Sequence, residues 1–290
     1  MKQFILPQAP DHGGTVYLTG KDYHYLVRVR RYAVGTIIPV LVPSPSQPQQ
    51  GSLRIIEIYE DRLVGEVTPR TSTEEDRDLP SANPDESPSP KGDSEQALDQ
   101  PGLDRRLGGH PGYPQIHLWV GYPKARKLDQ VIRQATELGV ATIRPILCDR
   151  SIPDPDARGW AKKSQRYRRI IEEAVQQSGS PGIPELQDPA ALERVIMTPT
   201  DGALGIYFHE TMLAKEGLHD YLCPLPEQVY LLFGPEGGIS PRERRLLQEH
   251  SWQPGYLGNS VLRCETAVVA ALGAIKAICG EVTRWQINYR

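Results

Sequence analysis

Apolar residues in the first 70 positions fall into short β-branched runs. TVYLTG, TIIPVLV, SLRIIEIYE and LVGEVTP are each bounded by Gly, Pro, Asp or Ser and read as strands. Their spacing predicts a small barrel. One piece, KDYHYLVRVRRYAVG, breaks the pattern. His24, Arg28 and Arg31 stand four and three residues apart, the spacing of one helix face, with Leu26, Val29 and more loosely Val27 on a side to bury.

From residue 113 the period changes. QIHLWVGY, TIRPILC, GALGIYF and QVYLLF are apolar strands. Between and after them lie helical patterns. KARKLDQVIRQATELGV places Leu128, Val131, Ile132, Ala135 and Leu138 on one stripe, with Gly139 as its stop. RGWAKKSQRYRRIIEEAVQQSG is a long helix whose first half carries Lys162, Lys163, Arg166, Arg168 and Arg169. SPRERRLLQEHS opens with a capping box, Ser240 to Glu243, and has proline at the first helical position. The last helix, in VLRCETAVVAALGAIKAIC, is apolar almost all round and is expected to be buried. A short strand is expected over 255–257. Strands alternating with helices predict a parallel sheet covered on both faces.

Composition divides the chain the same way. Residues 1–70 carry 8 basic and 6 acidic side chains, residues 71–112 carry 4 and 10, and residues 113–290 carry 21 and 20. The middle stretch is rich in Pro, Ser, Gly and acids and nearly free of aromatics, so it reads as a flexible acidic linker. Three parts follow: a barrel domain over 1–70, a linker over 71–112 and an α/β domain over 113–290. The overall charge of −3 gives no hint of nucleic acid, but the two flanking parts are net positive and leave room for a basic face. His24, Arg28 and Arg31, with Lys124 and Arg126, are the candidate RNA-binding residues; a solvated cationic surface has the same composition. Four cysteines, Cys148, Cys223, Cys264 and Cys279, form no CxxC pair and no cluster with histidine, so no metal site is expected and reduced thiols in a cytoplasm fit. No apolar run reaches the ~18 residues a membrane span needs, and the N-terminal apolar run is too short for a signal peptide.

The segment 231–240, LLFGPEGGIS, runs from a strand into a glycine loop. A triphosphate cradle ends in Lys and Ser or Thr, and a dinucleotide fingerprint reads GxGxxG early in a βαβ unit; neither is present. Glu236 repels phosphate, and Pro235 removes a backbone donor. The ligand of such a loop is neutral or cationic near Glu236, if the loop is more than a turn. Further on, GYLGNSVLRCETAVVAALGAI places Arg263 and Glu265 at a helix N-terminus. The dipole favours the glutamate there but not the arginine.

GPEGGIS followed by LG–VLR–ETA resembles the signature of the RsmE family, bacterial 16S rRNA uridine-N3 methyltransferases of the SPOUT superfamily. LDQVIRQATELGVATIRPI, EEAVQQSG with IPEL, and HYLVRVRR extend the resemblance over the whole chain except the linker. It implies a PUA-like β-barrel followed by a trefoil-knotted parallel-sheet methyltransferase domain, a homodimer, and S-adenosylmethionine held in the knot. By position, Phe233, Gly234, Pro235, Glu236, Gly237 and Gly238 are implied as one cofactor loop, and Leu257, Gly258, Leu262 and Thr266 as another. Arg263 is implied as the cation beside the anionic uracil, with Glu265 the weaker catalytic candidate. The expected partner is 16S rRNA, in the assembled small ribosomal subunit. The chain departs from the pattern at Gln176, Ser180, Asn259 and Ser260, where the family has an acid, an arginine, a proline and an arginine. Two alternatives therefore stay open: a knotted methyltransferase acting on another RNA such as tRNA, and a non-catalytic RNA-binding assembly factor.

Overall fold

The computed structural model describes residues 3–45, 48–69, 113–123, 127–151, 157–213 and 216–288. The linker expected over 71–112, and Lys124 and Arg126, lie outside them. The first sheet contains β1 (Phe4–Ile5), β2 (Thr15–Thr19), β3 (Ile37–Val42), β4 (Gln49–Ile58) and β5 (Arg62–Pro69), in the order β1-β3-β4-β5-β2. Alternating residues such as Val16, Leu18, Ile38, Val40, Leu53, Ile55, Leu63 and Val67 fill its concave side. The sheet curls, helped by a bulge between Ile55 and Glu57. It stays a half-barrel, since β1 and β2 remain its edges. β1 is two residues long, and the chain beside it is engaged elsewhere: the Gln3 side chain donates to the carbonyls of Val175 and Ser180.

The basic helical piece differs from its expected geometry. It is a short helix, α1 (Gly20–Tyr23), running into a π turn, His24–Val29, in which Arg30 N–H reaches back to the Tyr25 carbonyl. Five-residue bonding turns each step through less angle than an α-helix does. Leu26 is buried as expected, but Val29 is 56% exposed. Arg31 lies beyond the turn with φ of 56°, so it does not extend the face of His24 and Arg28.

The second sheet is parallel throughout, in the order β12-β10-β11-β6-β7-β8. It comprises β6 (Gln115–Gly121), β7 (Thr142–Leu147), β8 (Glu185–Leu186), β10 (Ala203–Phe208), β11 (Gln228–Phe233) and β12 (Gln253–Gly255), and β9 (Ala190–Ala191) adds to β7. The edge strand begins two residues earlier than expected, which brings in Pro254; an edge strand tolerates proline. Leu118, Val120, Ile143, Ile206, Leu231 and Phe233 face the helices α2 (Lys127–Glu137), α3 (Ala157–Ser178) and α7 (Cys264–Asn288). Trp119, Ile146, Tyr207 and Leu232 face the other side, where α6 (Pro241–Glu249) and Trp252 lie. Five short helical or strand pieces passed unpredicted because four or fewer residues show no period: α4 (Leu192–Val195), α5 (Leu218–Tyr221), β1, β8 and β9.

Connectivity sets the site. From β6 the chain passes through α2 to β7 on one side; from β11 it passes through α6 to β12 on the other. The sheet order therefore reverses between neighbours β6 and β11, and in open α/β sheets that point leaves a crevice at the strands' carboxyl ends. After β12, at the far edge, the chain returns across the sheet, because α7 packs on α2 and Lys276 Nζ donates to the Leu138 carbonyl at 3.0 Å. Among described residues, α7 buries one stripe only: Val268, Ala271, Leu272, Ile275 and Cys279. Thr266, Ala270, Gly273 and Ala277 on the opposite side are exposed, contrary to the expectation of all-round burial.

Candidate active site

The loop after β11 is a tight turn. Gly238 N–H donates to the Pro235 carbonyl at 2.8 Å, and Gly238 takes φ of 72°, a conformation that suits glycine. The chain then enters α6 through the expected capping box: Ser240 N–H to Glu243 Oε2 at 2.8 Å, and Glu243 N–H to Ser240 Oγ at 3.1 Å. The other Glu243 oxygen accepts from Asp149 N–H at 2.9 Å, which ties the cap to the loop after β7. Asp149 in turn accepts from Ser240 Oγ at 2.5 Å and from Arg242, which also pairs with Glu193.

Hydrogen bonds from Arg242 and Ser240 hold the Asp149 carboxyl below the ordinary carboxylate range. A group with a depressed folded-state pKa stabilises the fold at pH above its unfolded value and loses that contribution as pH falls through the folded value. Asp149→Asn is therefore expected to lower stability in urea unfolding at neutral pH. The gap to the wild type should close well below about pH 4, the ordinary carboxylate value.

Two cations clamp the glycine loop. Lys127 Nζ, at the start of α2, contacts Glu236 Oε1 at 2.8 Å, both side chains being about one-third exposed (36% and 30%). Arg150 Nη1 donates to the Gly237 carbonyl at 2.7 Å. Gly121 closes the floor: a Cβ there would stand 2.3 Å from Pro235 N. The Phe233 side chain stacks on Phe208 in the core, centroids 4.6 Å apart, so only its backbone borders the crevice.

The second loop reaches the same place. Hydrogen bonding to Glu236 raises the Lys127 pKa, Glu236 and Glu265 add attraction, and Arg263 opposes. Burial, with Glu265 and Glu236 nearby, pushes the Cys264 thiol up to about 12. Lys127 thus stands among Glu236 of one motif and Arg263 and Glu265 of the other. Leu257 packs on the core, and Gly258 has φ of 107°. The Arg263 carbonyl accepts the first bond of α7, from Ala267, while its side chain is exposed. Glu265 is 8% exposed, and its Oε2 is buried with no hydrogen-bond partner. Leu262 is half-buried and Thr266 exposed. His24 and Arg28 are exposed on the half-barrel. Sequence reasoning missed Gly121, Lys127 and Arg150. Only the strand-end position of Gly121 could have flagged one of them.

The donor set suits a cofactor without phosphate. A Cβ on Gly234 would meet the loop's own backbone and one on Gly237 would meet Arg150, and the charges around Lys127 include the carboxylates of Glu236 and Glu265. Residues 111–276 match a family described as the RNA methyltransferase domain. The chain is 30% identical over 188 residues to ribosomal RNA small subunit methyltransferase E of Mycobacterium bovis, an alignment covering 63% of this chain and 70% of that protein. The chain belongs to the ribosomal RNA small subunit methyltransferase E family. Its match to the Aquifex aeolicus member is 34% identical over 151 residues, spanning 52% of this chain and 62% of the relative, less than two thirds of that protein's length. A solved ribosomal RNA small subunit methyltransferase E from Neisseria gonorrhoeae, bound to S-adenosyl methionine, superposes with a TM-score of 0.70 at 20% identity, covering 96% of this chain and 98% of that one. The fold is thus that of this solved structure, a curled half-barrel followed by a parallel sheet. The return of the chain from β12 to α2 is the feature that strand and helix periodicity could not foretell.

Proposed function

We propose that this protein binds S-adenosylmethionine at the switch point between β6 and β11 and methylates N3 of a uridine in 16S rRNA. The observation that carries the reading is the convergence of the two motif loops on Lys127, in a chain of this family. The cofactor supplies an electrophilic methyl group on a sulfonium. Gly234, Gly237 and Gly238 line its place with backbone, and Leu257, Gly258 and Leu262, with Thr266 in the first turn of α7, form the facing side. Methylation at N3 requires the uracil imide to lose its proton, and the exposed Arg263 side chain is positioned to stabilise the resulting anion. Glu265 serves as a buried counter-charge near Lys127, because its shielded oxygen does not meet a base arriving from solvent. Much of the rate then comes from positioning.

The reading extends to a homodimer in the cytoplasm. The exposed stripe of Thr266, Ala270, Gly273 and Ala277 supports it, since a Cβ on Gly273 meets only open space and small residues allow close helix approach. His24, Arg28 and Arg31, with Lys124 and Arg126, contact RNA backbone in this reading.

Two measurements test it. Calorimetry is expected to detect S-adenosylmethionine binding to the purified protein; absence of binding favours an assembly factor instead. Mass mapping of small-subunit rRNA from a strain lacking the gene is expected to show loss of one N3-methyluridine, restored by complementation. Persistence of that nucleotide sinks the assignment of 16S rRNA.

A further inference from the structure

A groove of about 640 Å³ lies between the π turn and the carboxyl end of α3. One wall carries Asp22, His24, Tyr25 and Val29; the other carries Glu173, Gln176 and Gln177. One wall runs from Gly20 to Asp22 into the start of HYLVRVRR and the other belongs to EEAVQQSG; those two segments carry part of the family resemblance, and no step at the switch point uses them. The half-barrel and α3 are held together beside it, where Gln3 bonds the Val175 and Ser180 carbonyls at 3.3 and 2.6 Å. Ser180, at the position of the family's arginine, is buried in that seam.

The chemistry of the walls is unlike a phosphate site. Lys21 is the one lysine or arginine lining the groove, against the carboxylates of Asp22 and Glu173 and two neutral amides. Arg133 partly neutralises Glu173 from outside, at 3.5 Å. Partial burial raises the Asp22 carboxyl above its ordinary value. Carboxylates and amide oxygens accept from ring imino and amino groups, and an aromatic ring beside an exposed valine offers a stacking surface. Arginines and lysines stand outside the groove, along α3 at Lys162, Lys163, Arg166, Arg168 and Arg169, and all are exposed. Lys163 Nζ reaches the hydroxyl of the buried Tyr122 at 3.3 Å, just past the end of β6. From Lys163 to Gln176 the helix axis advances roughly 20 Å. The basic residues of α3 end at Arg169, roughly 10 Å along the axis from Gln176, and Glu172 and Glu173 stand between.

We propose that this groove takes one unstacked guanine of the RNA strand, a few nucleotides from the target uridine, with Tyr25 stacking on the base and Asp22 accepting from its N1 and N2 hydrogens. The proposal rests on the RNA methyltransferase reading above. It assigns the half-barrel a part in sequence choice, beyond grip on the backbone.

The test is fluorescence anisotropy with short labelled single-stranded RNAs that carry one uridine and a single guanine, inosine or adenine a few nucleotides to either side. Calorimetry with S-adenosylmethionine runs on the same proteins. The wild type is expected to prefer guanine over inosine and adenine at one spacing. Asp22→Asn should erase that preference, and Tyr25→Ala should weaken RNA binding about tenfold while Tyr25→Phe does not. Cofactor affinity should stay unchanged in all three. Tyr25 also packs against the half-barrel core, so Asp22→Asn is the variant that tests the groove without disturbing folding. No guanine preference in the wild type, or an Asp22→Asn protein that keeps it, overturns the proposal. A wild type that binds neither cofactor nor RNA brings down the methyltransferase reading and the groove together. Cofactor and RNA binding with silent groove variants brings down the groove alone.

Discussion

Gly121→Val is expected to weaken S-adenosylmethionine binding by roughly ten- to a hundredfold while the protein stays folded. A side chain at 121 brings its Cβ to 2.3 Å from Pro235 N, 2.5 Å from Pro235 Cδ and 2.7 Å from the Gly234 carbonyl carbon. These are backbone and ring atoms that cannot rotate away. The strands bearing the two segments are neighbours, with Val120 opposite Phe233, so they cannot part without breaking the ladder at the centre of the sheet. The glycine loop is the softer element and must give. Overpacking typically costs about 1–3 kcal/mol, and a loop displaced by that strain loses affinity by about tenfold per 1.4 kcal/mol. Calorimetry gives the affinity, and urea unfolding gives the stability. Intact affinity with reduced stability would mean the strain is absorbed by the fold, and that the loop after β11 is not where the cofactor lies.

Much of this molecule was legible before its structure. The strand runs, α2, α3 and the cap at Ser240 follow from period and local chemistry, because each element buries one face or satisfies its own end groups. Less legible was everything that depends on chain crossing. The switch point follows from strand order, which periodicity does not encode, and so Gly121 went unmarked. Lys127 and Arg150 went unmarked for the same reason: their partners, Glu236 and Gly237, are 109 and 87 residues away in the chain. The π turn defeated the spacing argument at Arg31, since a spacing rule assumes the helix type it sets out to find. The last helix misled in the other direction. Its all-round apolar pattern implied burial, yet a single chain covers one stripe only.

The glutamate at the centre of the glycine loop gives the second expected result. Lys127 holds Glu236 at 2.8 Å and feels Glu265 from the other loop. An isolated exposed pair contributes little to stability, typically below about 1 kcal/mol. Its consequence here is positional, since it fixes the loop proposed to hold the cofactor. Removing the charge, as in Lys127→Met, is therefore expected to leave urea stability nearly unchanged and to raise the cofactor dissociation constant a few-fold. Reversing it, as in Lys127→Glu, sets three carboxylates together at the junction of the two loops and is expected to weaken binding about tenfold, the scale of coupling between contacting residues. Glu236→Lys alone should do the same by opposing Lys127 and Arg263. The double exchange, Lys127→Glu with Glu236→Lys, restores one opposite-charge pair and should recover most of the affinity. Independent contributions predict that the double variant is worse than either single one. That additive outcome would show that Glu236 serves the ligand directly, with Lys127 a bystander; recovery would show that the glutamate's task is to be held.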